Sequence, residues 1–322
     1  LACSGKNCKQ SVRDGHTSTF AKNGLVWIAL HSLTVTCPTK ACYRGTVPVS
    51  FCSGRIEVNR VEILLTNDDG IHAPGLRALE YELRRLGHVT LVAPQLEQSG
   101  VGLKITYLQP LQAEEVFDGQ EQRGWSVAGS PADCVKLGML EFCPQRPDLV
   151  VSGINSGANV GINVLYSGTV AAAIEGAFFG VKSVAVSQLV DGPADYRATA
   201  RRAVDVIRQI CERDPQDSLL WNLNFPGTGA SPPKGLKLTT LGVRRHVDVM
   251  ERRVDPRGRP YFWSGADPLE NHLMDPGTDV RELADGFVTL TPMHFDLTLH
   301  ETVRKSSADG WSLASEQNDA QL

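Results

Sequence analysis

Two adjacent carboxylates, Asp68 and Asp69, follow a short apolar run at residues 63–65 and precede Gly70. This pattern is typical of a buried parallel strand that ends in a turn. Ligands of open α/β sheets bind at the carboxyl ends of the strands, so these carboxylates could form a cation site. They can serve one site only if the chain has already turned, which Gly70 permits. An acidic turn without a ligand is the alternative.

Two later loops supply further oxygen atoms. Ser99 lies in the loop at residues 95–102, which follows a predicted strand at residues 88–94. Asn155 lies in a segment of small and amide residues, 152–161, that follows another apolar run. Seen alone, the Ser99 loop could be a flexible polar turn. With the acidic pair, these residues make an all-oxygen set, which suits Mg²⁺ or Mn²⁺ and disfavours zinc.

A helix is predicted to begin at Ser167, where the chain reads Y-S-G-T over residues 166–169. Serine is a favoured N-cap, and a helix start offers free backbone N–H groups and the positive end of the helix dipole. Such a start can bind phosphate, although an ordinary capped helix is the alternative. A hard cation beside a phosphate site indicates metal-assisted phosphoryl chemistry, in which the metal polarises a phosphoryl oxygen and activates water.

The elements that must position these residues alternate between strands and helices. Pro74 at a helix start and Gly87 as its stop predict a helix over residues 74–86. Further helices are predicted at about 130–142 and 195–212, and the residues 104–128 are predicted to form short extended segments around an Asp-Gly turn. This order indicates an α/β protein with a mainly parallel sheet.

The end of the chain shows a different pattern. The turn sequence D-P-R-G at residues 255–258 lies between two extended runs, which predicts a long hairpin that projects from the core. One more strand is predicted at residues 287–292, followed by a polar tail at 305–322. We predict the main domain at residues 61–304, with the hairpin arm at about 236–275.

Composition narrows the class of partner. The chain has 322 residues and a net charge of −4, which gives no basic footprint for nucleic acid or for an anionic membrane. No run approaches the roughly 18 apolar residues of a membrane span. Five of the eight cysteines lie in the first 52 residues, and no C-x-x-C occurs. We therefore expect a cytoplasmic protein with reduced thiols in its main domain.

Residues 1–60 differ from the rest of the chain, because their apolar residues show no sustained period. A secretory signal is the weaker interpretation, since the apolar core is short and no A-x-A cleavage site follows closely. We expect this segment to be an atypical leader that is not part of the folded domain.

Several known motifs are absent from the sequence. It contains no G-x-x-x-x-G-K-[ST] loop, no G-x-G-x-x-G after the first predicted strand, and no G-x-S-x-G elbow. Nucleotide hydrolysis by a P-loop, dinucleotide chemistry and serine hydrolysis are therefore not indicated.

Several long segments resemble the signature segments of the survival protein SurE family. They are T-N-D-D-G-I-H-A-P-G (66–75), Q-S-G (98–100), V-S-G-I-N-S-G-A-N-V-G (151–161), Y-S-G-T-V-A-A-A-I-E-G (166–176), N-F-P (224–226) and L-T-P-M-H-F-D-L-T (290–298). The resemblance implies a metal-dependent nucleotidase that hydrolyses nucleoside 5′- and 3′-monophosphates. It also implies a Rossmann-like three-layer core, a protruding C-terminal β-hairpin arm exchanged between subunits, and a homodimer or homotetramer.

The resemblance also assigns residues. One divalent metal ion per subunit, Mg²⁺ or Mn²⁺, is expected on Asp68, Asp69, Ser99 and Asn155, with the two aspartates as the catalytic residues. The expected phosphate or substrate contacts are Asn67, Asn159, Ser167, Gly168 and Thr169. After Gly161 this chain has Ile162 and Asn163 where some relatives have acidic residues. A nucleotide- or metal-binding regulatory module and a broad phosphatase acting on polyphosphate remain the alternative functions.

Overall fold

The computed structural model describes residues 61–213, 219–227, 232–242, 249–265, 275–306 and 310–311, together with two short strands near the start. The chain divides into two compact units, Leu1–Ile56 and Glu57–Leu322. In the first unit, β1 (Phe20–Lys22) and β2 (Leu25–Trp27) form an antiparallel pair. The rest of the predicted leader lies outside the described residues, so its role stays a prediction.

The second unit is built on a nine-stranded sheet in the order β10-β13-β9-β8-β7-β3-β4-β6-β5. Its strands are β3 (Val61–Thr66), β4 (Gly87–Pro94), β5 (Ala113–Asp118), β6 (Glu121–Val127), β7 (Leu149–Ser156), β8 (Lys182–Gln188), β9 (Leu220–Phe225), β10 (Leu236–Leu238) and β13 (Val288–Met293). The run from β9 to β6 is parallel throughout. Antiparallel pairing joins β5 to β6 and β13 to β9.

Helices cover both faces of this sheet. The helices of this unit are α1 (Pro74–Leu83), α2 (Pro131–Leu137), α3 (Gly168–Phe178), α4 (Tyr196–Glu212), α5 (Asp279–Ala284) and α6 (His300–Ser306), with a π-helical turn at Gly138–Phe142 and a 3-10 turn at Gly161–Leu165. The first four pack on the sheet, whereas α6 buries no residue. Within β3, Ile63 and Leu65 pack in one core with residues of α1 and α4, whereas Leu64 packs in a second core with residues of α2 and α3. The predicted Rossmann-like three-layer architecture is therefore confirmed.

The ends of several helices follow the predicted capping chemistry. Pro74 begins α1, and Ser130 caps α2 through a reciprocal capping box with Asp133. Ser167 caps α3, because its hydroxyl accepts a hydrogen bond from the Val170 N–H at 3.1 Å. The predicted helix at 130–142 is divided into α2 and the π-helical turn.

The segment at residues 152–161 differs from its prediction as a loop. Strand β7 continues to Ser156, and Asn155 pairs with Ser187 of β8 beyond a register shift that begins at Ser152. Ser152 pairs with Ala185 and Asn155 with Ser187, so β7 has one extra residue over this stretch, a β-bulge after which the pairing resumes. Asn155 therefore stands on a strand end that the sheet holds in place.

A second, two-stranded sheet is formed by β11 (Val249–Val254) and β12 (Pro260–Gly265). Asp255 closes the turn between them, since its carboxylate accepts hydrogen bonds from the N–H groups of Arg257 and Arg259 at 2.8 and 2.9 Å. The C-terminal hairpin is confirmed. Residues 243–248 and 266–274 lie outside the described residues, and β10, inside the predicted limits of the arm, pairs with β13 in the main sheet.

Within the described residues, no helix has the length and apolar character needed to cross a membrane.

Candidate active site

The turn after β3 carries the acidic pair and is tied to the loop after β4. The Ile71 N–H donates to the Pro94 carbonyl at 2.8 Å, and the Gln98 N–H donates to the Asp68 carbonyl at 2.7 Å. Within the turn, the Asn67 amide donates to the Gly70 carbonyl at 3.0 Å, with Gly70 at φ +97°. The Ser99 loop and the acidic turn are therefore held together at one edge of the sheet.

The carboxylate of Asp68 lies at the N-terminus of α3. The Thr169 N–H donates to its Oδ2 at 3.0 Å, and the Thr169 hydroxyl donates to its Oδ1 at 2.5 Å. Gly168 permits this contact, because a Cβ there would lie 2.9 Å from the Asp68 Cβ. The helix start that sequence analysis assigned to phosphate therefore also binds a carboxylate of the protein, and Thr169 gives both of its donors to that carboxylate.

Asp69 is joined to the end of β7. Its Oδ2 accepts the Ser156 N–H at 3.0 Å. The neighbouring Asn155 donates its side-chain N–H to the Gly157 carbonyl at 2.8 Å, which leaves the amide oxygen as the atom that can bind a cation. The structure therefore brings the β3 turn, the end of β7 and the start of α3 together.

Ser99 is exposed, and its hydroxyl donates to Glu97 Oε1 at 2.6 Å. Glu97 was missed by sequence reasoning, although it lies two residues before Ser99. Its negative charge helps to raise the pKa of Asp69. Among the residues that the structure describes, no three His, Cys, Asp or Glu side chains are placed to hold a metal. A cation at the acidic pair would therefore draw on hydroxyl and amide oxygens such as those of Ser99 and Asn155.

The acidic pair carries uncompensated negative charge. Burial raises the pKa of Asp68 to about 6, the Thr169 hydrogen bonds oppose this shift, and the charge of Asp69 adds to it. Burial also raises the pKa of Asp69, against the Ser156 N–H that lowers it. In the described part of the chain, no basic side chain forms an ion pair with either carboxylate. Two desolvated carboxylates, with further hydroxyl and amide oxygens as possible metal ligands, suit a hard divalent cation.

A network of buried amides supports the loop after β7. The Asn159 side chain donates to Ser187 Oγ at 2.9 Å, and its backbone N–H donates to Asn224 Oδ1 at 2.8 Å. Asn222 and Asn224 donate in turn to the Asn159 carbonyl at 2.7 and 3.1 Å. The Asn159 side chain thus has a partner inside the protein. The signal for Asn222 and Asn224 is their alternation within an apolar strand, which puts both on one face.

Asp279, at the start of α5, fixes the approach to α3. Its carboxylate accepts the Gly161 N–H at 2.9 Å and the Gly242 N–H at 2.8 Å. The 3-10 turn that begins at Gly161 then leads to Ser167. The Ser167 N–H donates to the Asn163 carbonyl at 3.2 Å. This leaves the Gly168 N–H as the backbone donor of the helix start without a partner among the described residues.

The pKa of Asp68 makes the stability of the metal-free protein depend on pH. At a pH below 3.8, its ordinary pKa, Asp68 is protonated in both the folded protein and the unfolded chain. Between 3.8 and about 6 it ionises in the unfolded chain but keeps its proton in the folded protein. The free energy of unfolding therefore falls as the pH rises through this window, by about 3 kcal/mol. We expect urea unfolding of metal-free protein to show this loss relative to the Asp68→Asn variant, and a pH-independent difference between the two would contradict it.

Together, the fold and the site define a Rossmann-like α/β protein with an oxygen-rich acidic site beside a helix N-terminus. Comparison with known proteins specifies the family. Residues 63–248 match the family model described as survival protein SurE. The chain is 48% identical over 259 residues to the 5′-nucleotidase SurE of Rhodopirellula baltica, a match that covers 79% of this chain and 99% of the relative. It is 45% identical over 237 residues to the 5′-nucleotidase SurE of Moorella thermoacetica, covering 73% of this chain and 91% of that relative.

A solved structure agrees with these matches. The crystal structure of the SurE protein from Aquifex aeolicus is 36% identical and superposes with a TM-score of 0.67, covering 77% of this chain and 100% of that one. This chain belongs to the SurE family, which confirms the resemblance seen in the sequence motifs.

Proposed function

We propose that this protein is a divalent-metal-dependent 5′-nucleotidase, a phosphoric monoester hydrolase that converts nucleoside 5′-monophosphates, and 3′-monophosphates, to nucleoside and phosphate. The observation that carries the proposal is the desolvated acidic pair at the N-terminus of α3. The relatives named 5′-nucleotidase SurE support the choice of substrate class.

In this proposal one Mg²⁺ or Mn²⁺ ion per subunit is held by Asp68, Asp69, Ser99 and Asn155. The bound cation would supply Lewis-acid polarisation of the phosphoryl group. Thr169 acts through Asp68, because its two hydrogen bonds favour the ionised carboxylate and set its orientation. The Ser156 N–H does the same for Asp69.

The phosphate would lie against the start of α3. The Gly168 N–H and the Ser167 hydroxyl are the donors available to its oxygens, with the helix dipole adding attraction for negative charge. Of the other proposed contacts, Asn67 is occupied with Gly70 and Asn159 with Ser187, so we assign both to support of the adjoining loops. Donors fixed before the reaction stabilise the charge that develops on the phosphoryl oxygens.

The test is phosphate release from AMP by the purified full-length chain, with metal removed by chelation and then restored as Mg²⁺ or Mn²⁺. We expect activity only with metal. A panel of 5′- and 3′-nucleotides and inorganic polyphosphate identifies the substrate class. Absence of release with either metal would leave a regulatory binding module as the better description, and preference for polyphosphate would favour a broad phosphatase.

Replacing Thr169 by Val should weaken catalysis without removing it. The variant loses a charge-assisted hydrogen bond to Asp68, of the kind worth roughly 1.5–3 kcal/mol, so we expect a fall of about 10- to 100-fold in kcat/KM. The pKa of Asp68 should rise, which moves the acid limb of the pH–rate profile to higher pH. The Thr169→Ser variant keeps the hydroxyl and should resemble the wild type. An unshifted acid limb in Thr169→Val would rule out this role.

The assembly and the compartment also remain part of the proposal. The hairpin exposes Tyr261, Phe262 and Trp263, whose relative exposures are 40%, 61% and 58%. Exposed aromatic side chains on this hairpin support a homodimer or homotetramer built through the arm. The cytoplasmic location stays a prediction from the cysteine pattern.

A further inference from the structure

A cleft distinct from the acidic site lies between α1 and α4. Its volume is about 1050 Å³, and residues from both helices and from the β5–β6 hairpin line it. Six arginines line the cleft against four carboxylates, in a chain whose net charge is −4. The cleft is therefore a local concentration of positive charge on an acidic protein.

Most of the acidic groups in the cleft are already engaged. Glu80 pairs with Arg84 at 2.8 Å and with the buried Arg123, also at 2.8 Å. Glu82 pairs with Arg85 at 3.0 Å. These carboxylates form the floor of the cleft, because Glu80 and Glu82 are buried while Arg84 and Arg85 are exposed.

The free positive charge comes from the exposed arginines. Arg197 and Arg201 are four residues apart on α4, so they lie on one face of the helix, and among the described residues neither has a carboxylate partner. Asp195, before both arginines, accepts the Ala198 N–H as the helix cap. Asp205, four residues after Arg201, lies 3.5 Å from Arg208 instead. Arg77 on α1 has only a 3.4 Å contact with Asp118, and both side chains are more than 60% exposed. Unpaired like charges at this spacing destabilise a helix unless an anion lies between them.

We propose that this cleft binds a small molecule that carries a chain of two or more phosphates. Planar guanidinium groups match phosphate oxygens in pairs, and arginines from both walls would be needed for a ligand with several anionic groups. Tyr81, which is 72% exposed, and Tyr196 add aromatic surface on opposite walls. A nucleoside oligophosphate could use this surface for its base, whereas an inorganic oligophosphate would use the arginines alone.

Arg123 connects this cleft to the acidic pair. Its guanidinium is buried and donates from Nε to Glu80 at 2.8 Å and from Nη1 to the Ile71 carbonyl at 3.0 Å. Ile71 lies two residues after Asp69, in the turn that positions the site. The floor of the cleft and the active-site turn thus share one side chain, which is a route by which a bound ligand would act on the turn.

The test measures binding by calorimetry, with the full-length Asp68→Asn protein in chelator so that no substrate turns over. The probes are inorganic tripolyphosphate, ATP and inorganic phosphate. We expect saturable binding of tripolyphosphate that excess AMP does not displace. The double variant Arg197→Ala/Arg201→Ala should weaken it by about tenfold or more, since two charge-assisted contacts are lost.

The matched control is Arg202→Ala/Arg208→Ala, which removes the same charge from exposed positions of the same helix that do not line the cleft. It should change the affinity for tripolyphosphate less than about twofold. Any such small change would come from the long-range effect of the lost charge. Tighter binding of ATP than of tripolyphosphate would identify a nucleotide ligand. Equal affinity for the two would identify an inorganic ligand. In the active protein, which retains Asp68, neither double arginine variant should change the rate of AMP hydrolysis. Three results would contradict a separate site: displacement of tripolyphosphate by AMP, an equal loss of affinity in both double variants, or a fall in AMP hydrolysis in either of them.

Discussion

Replacing Asp68 by Asn is expected to lower kcat for AMP hydrolysis by about a thousandfold or more, measured at the metal concentration that saturates the wild type. Asp68 is buried to a relative exposure of 5%, and two donors of Thr169 point at its two oxygens. An amide keeps the shape but loses the charge that would hold a divalent cation. It also sets its own NH₂ group against one of those donors, so the buried hydrogen bonding becomes unsatisfied. Both effects act at the centre of the site.

The control for this variant is Asp205→Asn, an exposed aspartate on α4 that makes only a 3.5 Å contact with Arg208. It changes the charge of the chain by the same amount and should leave kcat unchanged. Metal binding, followed by calorimetry on the metal-free proteins, should be lost in Asp68→Asn and kept in the control. Wild-type kcat in Asp68→Asn would remove the acidic pair from the proposed site.

Replacing Gly75 by Ala is expected to give the second large effect, this time on stability. Gly75 is the second residue of α1, and a Cβ there would lie 2.1 Å from the Ile154 carbonyl oxygen and 3.1 Å from its carbon. The obstacle is the backbone of β7, so the helix and the strand must separate. Overpacking of this kind costs about 1–3 kcal/mol, which lowers Tm by roughly 2–12 °C for a domain of this size. Activity should fall as well, because Ile154 directly precedes Asn155.

Thermal unfolding measures this loss, and Gly192→Ala is the matched control. Gly192 is exposed, and a Cβ there meets nothing within 4 Å. Its Tm should equal that of the wild type to within about a degree, since surface substitutions away from such contacts have small effects. Equal Tm values for both variants would show that α1 does not need close contact with β7.

The local elements were predictable because their signals lie close together in sequence. Pro74, Ser130 and Ser167 begin helices where capping chemistry places them. Strand β8, Lys182–Gln188, likewise coincides with a short run of mainly apolar and small residues. Hydrogen bonds between neighbours in sequence decide where such elements begin and end, so one stretch of chain contains most of the information.

Other features depended on contacts between distant residues. Asn155 belongs to a strand because β8 pairs with it, and no local pattern reports that pairing. Glu97 lies close enough to affect the pKa of Asp69 only because the loop after β4 lies over the turn after β3. The buried support that Asn222 and Asn224 give to Asn159 spans more than sixty residues of chain.

The family, the α/β order of elements and the oxygen-rich residue set could be inferred from the sequence, because motifs, periodicity and side-chain chemistry are properties of the chain alone. The hydrogen-bond partner of each group depends on the folded arrangement. This arrangement places Asp68 against Thr169, 101 residues away, so the predicted phosphate helix also orients a proposed metal ligand. The physical reason is that a helix dipole attracts whichever anion the fold brings to it, and burial then sets the pKa of that anion.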